Sequence, residues 1–89
     1  MRYTVVWGRA AERELARFWA TSANRRAVTL AADAIDRLLR EDAHLRGESR
    51  QGATRVLLVP PLGVDFEVLS ADRMVHVMAV WAYRGRGKN

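Results

Sequence analysis

Arginine is the residue type whose number and spacing in this sequence could do chemistry. Fourteen of the fifteen basic residues are arginine, and only Lys88 is lysine. A guanidinium group is planar and forms paired hydrogen bonds with phosphate or carboxylate oxygens, so this composition favours contact with such anions. Codon use in a GC-rich genome is the alternative explanation for the same excess.

The net charge indicates the same kind of partner. Fifteen basic and ten acidic residues give a formal charge of +5 and a sequence pI near 11.0. At neutral pH such a chain attracts polyanions. We therefore expect RNA, DNA or an acidic protein as the partner.

The other groups that could do chemistry form no recognisable site. His76 lies within an apolar strand pattern, and His44 lies at a helix-to-loop boundary, where a cation would stabilise the helix terminus. Asp65 and Glu67 fall on one face of a strand and are predicted to be its solvated side. Without cysteines or a metal-binding spacing, the sequence predicts neither a metal site nor a cofactor.

Two amphipathic helices follow an opening strand, Arg2 to Trp7. The first helix begins at Arg9 and has apolar residues at helical spacing, namely Ala11, Leu15, Phe18 and Trp19. A basic stripe on another face consists of Arg9, Arg13 and Arg17. Asn24 is suited to cap the second helix, which we expect to pack against the first as a hairpin.

Strand patterns fill the second half of the chain. The predicted strands are Arg55 to Val59, Val64 to Leu69 and Met74 to Trp81, with connections at Pro60 to Gly63 and Ser70 to Arg73. Residues 43 to 53 show no sustained period and are predicted to be an exposed loop carrying Arg46 and Arg50. Trp7, Trp19 and Trp81 are each assigned to the core.

These elements predict a single domain over residues 1–89 of the α+β class. The order is β-α-α-β-β-β, with a two-helix hairpin packed on a mostly antiparallel, curved sheet. No segment has the ~20 apolar residues that a membrane span needs, and the apolar stretch in the first residues is too short to predict a signal peptide. Together with the absence of cysteine, this favours a cytoplasmic protein with no membrane partner.

Five short segments in fixed order suggest a family. They are Tyr3–Trp7 leading into Ala10–Leu15, Leu45–Gly47, Arg55–Leu57, Phe66–Val68 and Val77–Val80. In a short basic chain with this order of elements, they resemble the RelE/ParE superfamily, which includes plasmid-stabilisation toxins.

The resemblance implies the toxin component of a type II toxin–antitoxin system. Members similar to RelE cleave messenger RNA in the ribosome, whereas members similar to ParE inhibit DNA gyrase. Either action inhibits growth and is neutralised by a cognate antitoxin. The implied partners are that antitoxin, in a hetero-oligomer, and either the ribosome with its mRNA or DNA gyrase.

The resemblance also implies site residues. RNA cleavage by 2′-hydroxyl attack needs charge stabilisation at phosphorus and a group that transfers protons. The candidate catalytic residues are those that match the family's positions. They are Arg55, at the start of a strand, and Tyr83 with Arg84, near the end of the chain. The alternatives are an exposed strand-edge charge for Arg55 and a packing role for Tyr83.

Other arginines are candidates for binding. Arg46, Arg50 and Arg86 are expected to contact nucleic acid. Arg9, Arg13 and Arg17 are expected to contact the antitoxin, which in this family wraps its toxin with a segment that folds on binding. A solvated helix face is the alternative for this stripe.

Two positions depart from the family pattern. Gly63 stands where a second strand arginine is common, and Ala82 stands where many members have histidine. These replacements leave mRNA endoribonuclease activity an open question. They motivate the alternative of a non-catalytic, degenerate toxin-fold module that binds only an antitoxin-like partner.

Overall fold

The computed structural model describes residues 2–41, 43, 46–49 and 53–84. They form two helices and five strands. In chain order these are β1 (Thr4–Trp7), α1 (Arg9–Thr21), α2 (Arg25–Arg40), β2 (Glu48–Ser49), β3 (Thr54–Val59), β4 (Leu62–Leu69) and β5 (Met74–Ala82). The predicted β-α-α-β-β-β order is confirmed, with the two-residue β2 in addition.

The strands form one mixed sheet in the order β1-β5-β4-β3-β2. β1 runs parallel to β5, and the other neighbours are antiparallel. The sheet is mostly antiparallel, as predicted. β5 lies between β1 and β4 and is not an edge strand, in agreement with a sequence that is apolar almost throughout.

One face of the sheet, here called the inner face, packs against the helix hairpin. Along β4 the inner residues are Leu62, Val64 and Phe66, all fully buried. The buried helix residues that cover them are Ala11, Val28, Ala31, Ile35 and Leu39. Because side chains alternate along a strand, Gly63, Asp65 and Glu67 lie on the opposite, outer face.

The junction between the helices has the predicted cap. The Asn24 side-chain oxygen accepts a hydrogen bond from the Ala27 amide at 3.0 Å, which satisfies one of the free donors in the first turn of α2. The Arg25 guanidinium donates to the carbonyl oxygens of Trp19 and Ala20 at the end of α1, each at 3.1 Å. Neither helix is long and apolar enough to cross a membrane.

Several predicted boundaries were wrong, and three of them change the description of the sheet. Gly63 belongs to β4 rather than to the connection, because the hairpin closes tightly at Pro60–Pro61 and Val59 already pairs with Leu62. Residues 48 and 49, predicted within a loop, pair with β3 as the edge strand β2. Arg2 precedes β1 and forms an isolated bridge with Glu41.

The assignment of the tryptophans to the core was right for Trp7 and wrong for Trp19 and Trp81. Trp7 packs against the core from β1, as predicted. Trp19 is 46% exposed on α1. Trp81 pairs with Gly63 and lies on the outer face, away from the helices. Helical or strand spacing identified the apolar positions without showing which face would be covered.

Candidate functional site

Arg55 lies at the start of β3, on the inner face, opposite Phe66. It is half-buried, and its guanidinium forms hydrogen bonds with the backbone directly before β2. Nε donates to the Arg46 carbonyl oxygen at 2.9 Å, and one terminal nitrogen donates to the Gly47 carbonyl oxygen at 3.2 Å. Gly47 itself has a φ of 69°, a conformation that favours glycine. Two of the five N–H donors of Arg55 therefore bind the two backbone carbonyls that directly precede β2.

Tyr83 and Arg84 lie at the other end of β4. The Tyr83 amide donates to the Pro61 carbonyl oxygen at 2.9 Å, in the turn that joins β3 to β4. The pair Leu62–Ala82 and the pair Phe66–Arg55 are four positions apart along β4, which is about 13 Å. The three candidate catalytic residues are thus not brought together.

The arginines predicted to contact nucleic acid are only partly described. Arg46 precedes β2 and is half-buried; its Nε is buried and has no hydrogen-bond partner. Its backbone carbonyl is the one that Arg55 holds. Arg50 and Arg86 lie outside the described residues, as does His44.

The stripe Arg9, Arg13 and Arg17 is exposed along α1, as expected. Arg17 donates to the Glu14 carboxylate at 2.6 Å, and this hydrogen bond, together with the negative charge of Glu14, raises the pKa of the Arg17 guanidinium. An exposed ion pair of this kind stabilises the helix little. All three arginines of this stripe are exposed and accessible to a partner, with the guanidinium of Arg17 bonded to Glu14.

A groove between α1 and α2 was not predicted from the sequence. We call it the hairpin groove; its volume is about 460 Å³. It is lined mainly by apolar side chains from both helices. The complete set of lining residues is Glu12, Leu15, Ala16, Trp19, Val28, Thr29, Ala32 and Asp33. The arginine stripe lies on a different face of α1 from these residues.

Trp19 forms one side of the hairpin groove and is held in place from α2. The Arg25 guanidinium carbon lies 4.8 Å from the centre of a Trp19 ring, within the range of a cation–π interaction. The same guanidinium is bonded to the end of α1. A large apolar side chain is thereby kept exposed at a fixed position, which is typical of a surface that a partner covers.

A second hollow continues toward the other end of the hairpin and is mixed in charge. It shares Glu12, Leu15, Ala32 and Asp33 with the hairpin groove and has a volume of about 580 Å³. At its base the Trp7 indole N–H donates to Asp36 at 3.1 Å, and Asp36 also pairs with Arg40. The remaining charged residues that line it are Arg2, Arg37 and Glu41.

On the outer face, Trp81 occupies the space above Gly63. A β-carbon at residue 63 would lie 2.4 to 2.8 Å from three carbons of the indole. The indole N–H donates to Asp65 at 3.3 Å, and the ring meets Tyr83 edge-on, with centroids 6.3 Å apart. Residue 63, where the family that the sequence resembles commonly has arginine, is therefore covered by an aromatic ring in this chain.

Within the described part of the chain, no three histidine, aspartate or glutamate side chains are grouped so that they could hold a metal ion. His76, predicted to be structural, lies on the outer face of β5. Its Nδ1 is 3.9 Å from a carboxylate oxygen of Glu67, and both side chains are partly exposed.

No protein-family model matches the chain, and no curated protein sequence is significantly similar to it. Solved structures do match. The RelBE2 toxin–antitoxin complex from Mycobacterium tuberculosis superimposes with a TM-score of 0.73 at 14% identity, over 92% of each chain. The chromosomal ParDE system from P. aeruginosa gives 0.72 at 14% identity, over 93% of this chain and 98% of the other.

The isolated E. coli RelE toxin gives a TM-score of 0.56 at 14% identity, over 97% of this chain and 88% of the toxin. Because that structure contains the toxin alone, the match in this case is to the toxin and not to its antitoxin. At this level of identity the likeness is one of fold. The chain has a RelE/ParE-like toxin fold.

Proposed function

We propose that this chain is the toxin of a type II toxin–antitoxin pair, which arrests growth when it is produced alone and is neutralised by its antitoxin. The observation that carries this proposal is the fold, whose solved neighbours include toxin–antitoxin complexes, and the exposed apolar groove of the helix hairpin is the site that we assign to the antitoxin. In this reading the antitoxin supplies the side chains that cover the groove.

The lining of the hairpin groove defines the segment that would fit. Leu15 and Trp19 of α1 and Val28 and Ala32 of α2 are the larger part of its apolar lining. An amphipathic helix presents apolar side chains every three or four residues and fits such a groove. Where the same segment continues across α1, acidic residues would meet the stripe of Arg9, Arg13 and Arg17.

The proposal is tested by inducing this chain alone and together with the short acidic protein expected in the adjacent reading frame. We expect arrest in the first case and growth in the second. Trp19→Glu places a charge in the groove and should keep the arrest while abolishing the rescue. Leu30→Glu is the matched control, because Leu30 is 54% exposed on α2 and does not line the groove.

The outcomes separate the two parts of the proposal. If this chain does not arrest growth but still binds its neighbour, it is the non-catalytic binding module instead of a toxin. If Trp19→Glu is rescued as well as Leu30→Glu, the antitoxin binds elsewhere, and the toxin assignment is unaffected.

Of the two actions that the resemblance implies, we propose inhibition of DNA gyrase over mRNA cleavage. The support is the separation of Arg55 from Tyr83 by about 13 Å along β4, with Arg55 on the inner face and bonded to two carbonyl oxygens. A cleavage site needs its charge-stabilising and proton-transferring groups around one phosphate.

Gyrase inhibition is measured with purified gyrase and relaxed plasmid, and cleavage is measured by primer extension on messages from induced cells. We expect loss of supercoiling and no new mRNA ends. New ends within codons, with gyrase activity unchanged, would overturn this choice of action and leave the toxin proposal standing.

A further inference from the structure

Charge is unevenly distributed over the sheet. In the five strands, Arg55 is the one arginine or lysine, and it lies on the inner face opposite Phe66. The outer face carries the carboxylates of Asp65 and Glu67. In a chain with a net charge of +5, the outer face of the described strands therefore carries carboxylates, with His76 beside Glu67, and neither arginine nor lysine.

The register places the third strand carboxylate on the same face. Glu48 of β2 pairs with Val56, which in turn pairs with Asp65, and directly paired residues point to the same side of a sheet. The carboxylates thus lie on β2 and β4, on either side of β3. They lie away from the arginine stripe of α1, which belongs to the opposite layer.

Aromatic rings adjoin one of these carboxylates, that of Asp65. Trp81 lies over Gly63 and donates its indole N–H to Asp65, and Tyr83 meets the indole edge-on at an angle of 86°. Both rings are partly exposed. Aromatic rings and carboxylates attract cations in different ways, and their combination is selective for arginine or lysine side chains.

The spacing of the carboxylates suits a guanidinium group. Asp65 and Glu67 are two residues apart on one face of β4, which separates them by about 7 Å. A guanidinium between them can donate to both carboxylates, while the methylene stem of the same side chain passes Asp65 toward the indole, which lies over Gly63. A phosphate at the same place would be repelled by both.

We propose that the outer face of the sheet, around Trp81, Asp65 and Glu67, is a docking surface for a basic segment of a partner protein. The segment binds through an arginine or lysine side chain that meets both carboxylates and the indole. This surface is distinct from the hairpin groove, and the inference holds whichever action the proposed toxin has.

The test is an NMR titration of the full ¹⁵N-labelled chain with a tetra-arginine amide peptide. The probe should shift the Trp81 indole N–H and the amides of β4 and β5. The double variant Asp65→Asn/Glu67→Gln removes both charges but keeps an oxygen that accepts from the Trp81 indole. We expect its dissociation constant to be about tenfold higher.

The matched control is Glu12→Gln/Asp33→Asn, which removes two carboxylates from the hairpin groove and should leave the affinity unchanged. Glu67→Gln alone does not touch the Trp81 hydrogen bond, so a partial loss in this variant excludes misfolding as the cause. A tetra-glutamate peptide should produce no shifts.

Four results would overturn the proposal. The first is an unchanged affinity in the double variant, and the second is chemical-shift changes confined to the hairpin groove. The third is a twelve-nucleotide single-stranded RNA that shifts the same outer-face amides. The fourth is concentration-dependent dimerisation of the chain through this face without peptide. The last two would assign the face to nucleic acid or to a second copy of this chain.

Discussion

The indole of Trp81 lies so close to Gly63 that a β-carbon on residue 63 would be 2.4 Å from the nearest ring carbon. The two residues are direct partners in the register of β4 and β5. Glycine is therefore required at residue 63 by a side chain on the neighbouring strand, and not by its own backbone conformation.

Gly63→Ala should lower the free energy of unfolding by about 1 to 3 kcal/mol, because the new methyl group displaces an indole that is also bonded to Asp65. Urea denaturation measures the change. In a Trp81→Ala background the same substitution should be neutral or stabilising, since alanine is otherwise better than glycine within a strand. Equal losses in the two backgrounds would show that the ring is not the cause.

Arg55→Ala should destabilise the fold by about 1 to 3 kcal/mol, because it removes two charge-assisted hydrogen bonds to the carbonyls of Arg46 and Gly47. Arg55→Lys, which cannot bond both carbonyls in the same geometry, should lie between the wild type and alanine. Both are measured by urea denaturation of the purified chain.

The control for this prediction is Arg26→Ala, which removes an exposed arginine from the first turn of α2. Its effect should stay within about 0.5 kcal/mol. If Arg55→Ala behaved like this control while abolishing growth arrest, Arg55 would act on a substrate and its two hydrogen bonds would be incidental.

Asn24→Ala should cost about 1 kcal/mol, because the first turn of α2 loses the acceptor for the Ala27 amide. Asn24→Asp keeps an acceptor oxygen and should retain most of the stability. Thermal unfolding followed by circular dichroism compares the two. Similar losses of stability in both variants would indicate that any substitution at the junction between the helices is destabilising, and that the side-chain cap is not the cause.

The elements were predictable because each depends on a local pattern. The Asn24 cap, the helical spacing of Leu15 and the alternation around Asp65 and Glu67 are properties of neighbouring residues, and the structure confirms them. What local patterns could not give is which apolar surface stays uncovered. Trp19 has the spacing of a core residue and is nevertheless exposed, because no described element packs over the hairpin groove.

The site was less predictable than the fold for a related reason. Arg55 and Tyr83 were grouped because they match one family pattern, yet their separation depends on the register of β4 with two neighbours. A tight turn at Pro60–Pro61 moves Gly63 into β4 and places it beneath Trp81. No periodicity within a single strand contains this information.

Tyr83→Phe should leave growth arrest unchanged. The Tyr83 amide is fixed to Pro61 at the hairpin tip, and its ring meets Trp81 on the outer face, whereas Arg55 lies on the inner face about 13 Å away along β4. Loss of the hydroxyl therefore removes no group that can act on a phosphate held by Arg55. Phenylalanine keeps the edge-on ring contact, so stability should also be retained.

The measurement is the growth rate after matched induction, with protein levels compared by immunoblotting. Tyr83→Ala serves as the second variant, because loss of the ring contact with Trp81 should lower stability without changing the action of the protein that remains folded. Loss of arrest in Tyr83→Phe at unchanged protein level would mean that the hydroxyl transfers a proton, and it would restore mRNA cleavage as the better account of the toxin.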